Sequence, residues 1–531
     1  MKVSAVLLII AYALLTANDI EISGSSSFYY QSSSEDNTWS EIPSQFWRWR
    51  FNPVLSIHDI PVVASIFVSS EESMQRQNMN RIYISSHPSA SSREGSVLSW
   101  ISSIGIGASN PYFTNFTLNA AYISGANLAL SPGGFYFAAA GGRNRRGVEP
   151  DGDNPGEYER NLYAVQTGLG SPYGSHFHLC MLYGKDENGS IIEDSTFRIT
   201  PSENWVASLD YGSVLFDGVL RIDGEIAGSM FTRDIRSPEI DSDEVPQWLL
   251  DFSGANVSSG LGWALDLSSS VRFSENMLSA SFRRVDPGFE SMGSPYLRND
   301  EISIETRADR YFINRQISAG LWYRWESDNL MDTKSTTTTG NTYGARFGLA
   351  FKDYPRIYIS YSPSCTELQD SSRTRFETSM ISISASYRKD IAGLDVNSQV
   401  AVSVHDNSAG SGSSNYSSTS AVLRETVSLE FPVVITGCIS TRRTRTGSYP
   451  VWTYTGDLRG TWFPSHSLSL TLGGYYTTGD DEKKMGVVLN GGIPICDFLT
   501  ANLSGEYITY SSDIEKDYTN IIGGAGITVI W

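Results

Sequence analysis

The chain has 531 residues, 40% hydrophobic, 12% aromatic and only 18% charged, with a net charge of −19. That aromatic and apolar content excludes a disordered chain, and the acidic balance lacks the positive field of a nucleic-acid-binding protein. Four cysteines in this length exclude a disulfide scaffold.

Length alone suggests three or four domains at ~150 residues each. Charge is low against the usual ~25%, and Ser, Thr, Gly and Tyr fill the gap. Such a balance is odd for a soluble enzyme and ordinary for an outer-membrane β-barrel.

At the N-terminus Lys2 precedes an apolar run, Val3 to Leu15, then Thr16 and Ala17. A basic start, a short apolar stretch and a small residue fit a secretory signal peptide over residues 1–17, cut near Ala17. Leu15 stands where a small residue is preferred, and an attached N-terminal anchor is the alternative. No later stretch reaches the ~18 apolar residues of a transmembrane helix.

Residues 18–531 read as one all-β domain, because alternation of apolar and polar residues runs through almost all of it. Ile20–Gln31, Phe46–Ile57, Pro61–Ser70, Asn80–Ser86 and Val97–Gly107 are the early strands. Further on, Leu261, Trp263, Leu265 and Leu267 alternate with Gly262, Ala264, Asp266 and Ser268. Ile317, Ala319, Leu321, Tyr323 and Trp325 form another apolar face, as do Val400, Val402 and Val404, and Leu468, Leu470 and Leu472. Each pattern is a strand with one apolar and one wet side. Only Glu71–Asn80 and Pro246–Phe252 could hold a turn or two of helix.

Connections alternate in length. Ser131–Gly134, Gly170–Ser175, Phe216–Gly218, Ile313–Arg315 and Arg388–Gly393 are tight. Gly142–Tyr158, Lys185–Asn204, Thr232–Ser259, Val285–Asp300, Asp328–Asn341, Ser362–Arg373, Asp406–Thr419 and Thr441–Pro450 read as long. Short periplasmic turns and long outer loops are the habit of outer-membrane barrels; a propeller would instead repeat every ~40 residues. The last strand places Ile521, Gly523, Ala525, Ile527, Val529 and Trp531 on one face. The expected fold is therefore a single large antiparallel transmembrane β-barrel of about 26 strands, in a range of 22–26, with both ends periplasmic.

A terminal amphipathic strand closing on an aromatic resembles the sorting signal read by the barrel-assembly machinery, which makes that machinery a partner through Trp531. The chain also resembles a functionally unassigned family of large outer-membrane β-barrel proteins of diderm bacteria. Phe46-Trp-Arg-Trp-Arg-Phe-Asn-Pro53, with Ile60-Pro61 and Ser69-Ser-Glu71, carries the resemblance first. Thr232-Arg-Asp-Ile-Arg-Ser-Pro238 and Arg283-Arg-Val-Asp-Pro287-Gly-Phe-Glu-Ser-Met292-Gly, followed by Asn299-Asp300, carry it further, with Phe289 where Tyr is expected.

His176, His178 and Cys180 share one strand face, with Phe177, Leu179 and Met181 on the other. Imidazole and thiolate suit zinc or copper, but one strand spaces alternate residues awkwardly for a single ion. Luminal polar residues near a periplasmic turn are the simpler reading. Glu149-Pro-Asp151-Gly-Asp153-Asn154-Pro-Gly-Glu157 has calcium-loop chemistry without EF-hand spacing, and Asp234, Glu239, Asp241, Asp243 and Glu244 form a second acidic loop. Solvated outer loops account for both. Arg143, Arg145 and Arg146, and Arg442, Arg443 and Arg445, would meet lipid phosphates, line an anion path or balance acidic loops. His58, His87 and His466 fall at turns and His405 at a strand end. Cys365 falls in an outer loop and Cys496 at an inner turn, and Cys438 has no evident partner. No Ser/His/carboxylate set or G-x-S-x-G elbow emerges, so no enzyme, cofactor or disulfide is expected.

The expected role is passage or assembly across the bacterial outer membrane, in contact with the lipid bilayer and lipopolysaccharide. The segment before the barrel is too short for an N-terminal plug, so the chain's own loops or a periplasmic or lipoprotein partner would close a barrel of this size. Thr232–Ser259, Gly142–Tyr158 and Val285–Asp300 are the candidate loops. A surface receptor or structural barrel is the competing reading, and a soluble carbohydrate-binding β-protein a remote one.

Overall fold

A computed structural model describes residues 20–531 apart from 35–42, 58, 76, 91–95, 153, 193–198, 241–253, 370–373, 410–414, 447–448, 466–467, 481 and 513–516. The proposed signal peptide, Asp241, Asp243, Glu244, the Pro246–Phe252 stretch, His58 and His466 lie outside the described residues.

Among the described residues, twenty-six antiparallel strands form one sheet, running from β1 (Ile20–Ser33) to β26 (Tyr518–Ile530). Each strand pairs with its neighbours in the chain, and β1 pairs with β26, so no edge is left open. Closure satisfies the backbone polar groups that an open sheet would expose to lipid. The even strand number puts both ends at the rim of the tight turns. Three to four domains are thereby reduced to one closed wall.

Sidedness follows from the pleat. Leu321, Ile439 and Leu472 point outward and are 63, 67 and 62% exposed. A closed ring of strands with large aliphatics on its outer face belongs in a bilayer, where that face needs no packed partner. No helix of the described residues is long and apolar enough to cross a membrane.

The seam between first and last strands is built from aromatics. In β2 (Gln45–Ile57), Trp47, Trp49 and Phe51 point outward while Arg48 and Arg50 point into the lumen. Phe28 stacks on Trp47 at 6.1 Å and Phe51 stacks on Trp531 at 5.7 Å. The Trp531 ring reaches Phe51 by crossing Gly24 of β1, where an added Cβ would lie 2.6 Å from Asn52 O and 3.0 Å from the Trp531 ring. Backbone bonds between Gly24 and Trp531 fasten the same point (2.9 and 3.1 Å). The first of the three sequence patterns is thus a closure device.

Several outer connections are shorter than their composition suggests. β21 (Val433–Thr446) and β22 (Tyr449–Trp462) extend through most of the Thr441–Pro450 segment, with Arg442 opposite Thr453 and Thr444 opposite Val451. β17 (Arg356–Gln369) and β18 (Thr374–Ile391) likewise absorb most of Ser362–Arg373. β19 (Leu394–Ala409), β20 (Tyr416–Ser428) and β16 (Thr337–Leu349) absorb much of Asp406–Thr419 and Asp328–Asn341. Ser and Thr read as loop residues in isolation, yet they pair well across antiparallel strands once a ladder exists. Cys365 and His405 consequently sit within strands rather than in a loop or at a strand end. Val97–Trp100 is a 3-10 turn capped by the Ser96 hydroxyl, and β5 begins only at Ile101. Glu71 falls in a 3-10 turn, Ser70–Met74.

Candidate functional site: a plug on one wall of the lumen

Among the described residues, two outer connections turn inward instead of standing above the rim. The first is residues 110–122, between β5 (Ile101–Ser109) and β6 (Ile123–Leu130); the second is residues 286–300, between β13 (Asn276–Val285) and β14 (Glu301–Phe312). Phe113, Phe116 and Leu118 from one, and Phe289 and Met292 from the other, form a buried cluster with the inner wall. That wall is apolar: Ala138 and Ala140 of β7 (Phe135–Arg145), Leu162 and Ala164 of β8 (Arg160–Gly170), Leu182 of β9 (His176–Asp186), Val206 of β10 (Glu203–Leu215), Ala227 of β11 (Leu220–Thr232) and Ala264 of β12 (Ser259–Phe273). Over this stretch the wet side read from the sequence is apolar. Small apolar side chains replace polar ones where the plug sits, because a buried polar group without a partner is costly.

Polar contacts fix the plug's position. Phe116 meets Phe289 edge-on at 5.6 Å between centroids. Asn119 N–H donates to Gly293 O (2.7 Å), and the Ser291 and Ser294 hydroxyls donate to Thr117 O and Asn115 O (3.1 and 3.0 Å). The buried Glu225 carboxylate of β11 accepts the backbone N–H groups of Asn115 and Phe116 (3.1 and 3.3 Å). Buried Asn204 of β10 donates to Glu290 O (3.0 Å) and accepts from Met292 N–H (2.9 Å). A side-chain amide satisfying two backbone groups of an incoming loop is a register lock. Close approach is obligatory at Gly262, where an added Cβ would lie 2.1 Å from Phe289 N.

Two of the three sequence patterns of the resemblance meet here. Arg283–Gly293 is the descent into the lumen, with Arg283 bound to Asp266 (2.9 Å) and lying over the Phe116 ring at 5.7 Å. Arg233 of the Thr232–Pro238 pattern holds Glu290 from above (3.1 Å). Elsewhere on the outer rim Arg48 holds Glu71 through two bonds (2.7 and 3.0 Å), and these bonds are the main reason the Glu71 carboxyl lies below its ordinary pKa.

Of the three candidate loops, Val285–Asp300 enters the lumen. Gly142–Tyr158 stays at the rim as a small hairpin, with Val148 paired to Glu157 and Asp151 to Asn154. Its Glu149 and Glu157 are engaged by Ile192 N–H (2.8 Å) and Gln77 (2.6 Å) rather than gathered round a common point; Asp153 lies outside the described residues. Within Thr232–Ser259 the described ends also stay at the rim, Asn256 donating to Asp234 O (2.9 Å). Segment 110–122 was not among the candidates.

The basic clusters are spent on neighbours. Arg145 and Arg160 bind buried Asp186 (3.2 and 2.7 Å), and Arg146 donates to Gln75 O (2.5 Å). Arg442 donates to Ser418 and Tyr416 hydroxyls, while Arg443 lies over outward-facing Trp452 at 5.5 Å. All four cysteines are free.

His176 and His178 face inward below the plug, stacked at 4.7 Å between ring centroids. Asp210 of β10 joins them; their ligand-type atoms all lie within 4.8 Å of one another. Cys180 is inward too but faces Gln166 and Ser208 one step up the ladder, outside that set. Sequence parity could group the residues of β9, whereas Asp210 enters only through the β9–β10 register, which sets it opposite His178.

Beyond β13 the inner wall changes character. Asp309 binds Arg307 and Arg346 (2.7 and 2.6 Å), Arg324 binds Glu326 (2.8 Å), and Tyr475 donates to Glu506 (2.9 Å). Serine pairs Ser360–Ser382 and Ser403–Ser420 bridge adjacent strands (2.6 and 2.7 Å). Among the described residues the buried cluster takes in no side chain of β14 or any later strand.

No protein-family model matches the sequence, and a search of curated proteins returns no match. Among solved structures, the siderophore receptor PirA from Pseudomonas aeruginosa aligns over 97% of this chain and 81% of its own at 10% identity, TM-score 0.44. The E. coli P pilus tip assembly intermediate PapC-PapD-PapK-PapG aligns over 96% and 61% at 12% identity, TM-score 0.48. A BenF-like porin from Pseudomonas fluorescens Pf-5 aligns over 70% and 98% at 11% identity, TM-score 0.31. All three alignments are too loose for function to pass from those proteins to this chain.

Proposed function

We propose that this protein is a channel or transporter of the bacterial outer membrane, partly closed by two of its own outer loops. One observation carries the reading: among the described residues the plug covers the wall from β6 to β13 and leaves the polar, charged wall from β14 to β26 uncovered. Twenty-six strands tilted as in known barrels would give a ring roughly 50 Å across if circular. Two short loops cannot fill that width. A solute on the open side meets paired Arg and Asp/Glu side chains and hydroxyl ladders, which suit hydrated, polar cargo. Lipid and lipopolysaccharide surround the outer face, and assembly through the strand ending at Trp531 fits the seam described above.

Planar-bilayer recording tests this. Wild-type protein should give a steady conductance, and replacing residues 289–298 by a short Gly/Ser linker should raise it modestly, because the plug covers one wall only. Silence in both proteins would favour a receptor or structural barrel.

A further inference from the structure

The arrangement of protons around His176 and His178 shows what the site lacks. Carbonyl oxygens only accept hydrogen bonds. Gly174 O lies 2.9 Å from His176 Nδ1, so Nδ1 carries the proton there. Gly170 O lies 3.3 Å from His178 Nε2, which places that ring's proton on Nε2. The remaining nitrogens, His176 Nε2 and His178 Nδ1, then present lone pairs. Both face Asp210 Oδ2, at 3.0 and 4.0 Å. His178 Nδ1 accepts a hydrogen bond from Gln166 Nε2 (3.2 Å), which leaves His176 Nε2 and Asp210 Oδ2 facing each other with nothing positive between them. No Lys or Arg is paired with Asp210 among the described residues. Either a second proton on His176 or a metal cation completes the site.

We infer that His176 Nε2, His178 Nδ1 and Asp210 Oδ2 form a luminal binding site for a divalent transition-metal ion of the zinc, nickel or copper class. Two imidazoles and a carboxylate are a standard donor set for such ions. The 3.0 Å separation of His176 Nε2 and Asp210 Oδ2 lies within the roughly 2.8–3.4 Å that ligands bonded to one ion at ~2.0–2.1 Å span between right-angled and tetrahedral geometry. His178 Nδ1, 4.0 Å from Asp210 Oδ2, would move inward to bond the same ion. The far nitrogen of each ring already donates to a backbone carbonyl, the outer support that orients metal-binding histidines. Tyr136 stacks on His178 at 5.0 Å and holds its plane. Gln166 Nε2 donates to His178 Nδ1 at 3.2 Å, and turning that amide over presents its oxygen as a fourth ligand. Asp210 keeps partial access to the lumen, its side chain 22% exposed, which gives the ion its entry path. Cys180 is not a ligand. The site stands independently of whether the barrel conducts.

The test uses full-length protein in detergent micelles, stripped with a chelator and then titrated with Zn2+ by calorimetry, and separately with Co2+ by visible absorption. Wild type should bind one Zn2+ with a Kd of about 10 μM or tighter. Asp210→Asn and His176→Gln should each weaken binding at least about tenfold, and Cys180→Ser should leave it unchanged. Circular dichroism and gel mobility before and after heating confirm that each variant is a folded barrel; Asp210→Asn is isosteric and keeps the test open if His176→Gln misfolds. Co2+ should give d–d bands with wild type and lose them with Asp210→Asn. Absence of binding in wild type, with a protonated His176 seen by NMR at neutral pH, would overturn the site. Equal binding by wild type and Asp210→Asn would overturn the ligand assignment.

Discussion

Replacing Phe289 by Ala should loosen the plug without opening the barrel. The ring is buried against Phe116 and the small residues of the inner wall. Truncating a fully buried Phe costs about 3–5 kcal/mol. Phe289 belongs to a docked loop, so that cost falls on docking rather than on the strand ladders. Hydrogen exchange of the backbone amides in 110–122 and 286–300 should then accelerate by roughly two to three orders of magnitude. Amides of strands far from the plug, such as β18 to β20, should keep their wild-type rates. Acceleration spread evenly over all strands would mean that the loops and the wall unfold together. Phe116→Ala should reproduce the effect from the other side of the contact.

A second large effect is expected at the closing seam. Gly24→Val places a branched side chain where Asn52 O and the Trp531 ring already lie, and in a conformation L-residues avoid. The β1–β26 ladder has fewer paired residues than β1–β2, so the closing contact has little redundancy. The yield of heat-modifiable, membrane-inserted barrel should fall by at least about tenfold, since even 1.4 kcal/mol at the closing step is a factor of 10. Trp531→Ala should lower it less, because the backbone bonds to Gly24 remain. Wild-type yield from Gly24→Val would show that closure does not depend on this packing.

Much of the fold was legible because a membrane barrel writes its sidedness residue by residue. Leu261, Trp263 and Leu267 read as the outward face and are outward; Ile521, Ile527 and Trp531 likewise. Loop lengths were less legible. Arg442 to Thr444 looks like loop by composition and is strand by pairing, and pairing is a property of two segments at once. The plug was half legible. Pro287-Gly288-Phe289 sits in a connection long enough to fold inward, but residues 110–122 hid between two short strands. Their trace in the sequence is indirect: Phe113, Phe116 and Leu118 in a connection, with Ala138, Ala140, Ala164, Ala227 and Ala264 at luminal positions where polar residues are usual. The metal set was also half legible. Parity gives His176 and His178, while Asp210 needs the register.

Residues 286–300 lie inside the barrel against β9, and a plugged lumen requires them there. Gly184 and Met292 test it, since a Cβ on Gly184 would lie 3.2 Å from the Met292 Cβ, close to the ~3.8 Å usual for a disulfide. The double variant Gly184→Cys with Met292→Cys, made in cells with an oxidising periplasm, should form that cross-link spontaneously, read as a linked peptide by mass spectrometry after non-reducing digestion. Free thiols at both positions, with the one at position 292 labelled on intact cells by a membrane-impermeant maleimide, would place the loop outside the lumen and rule out the plug.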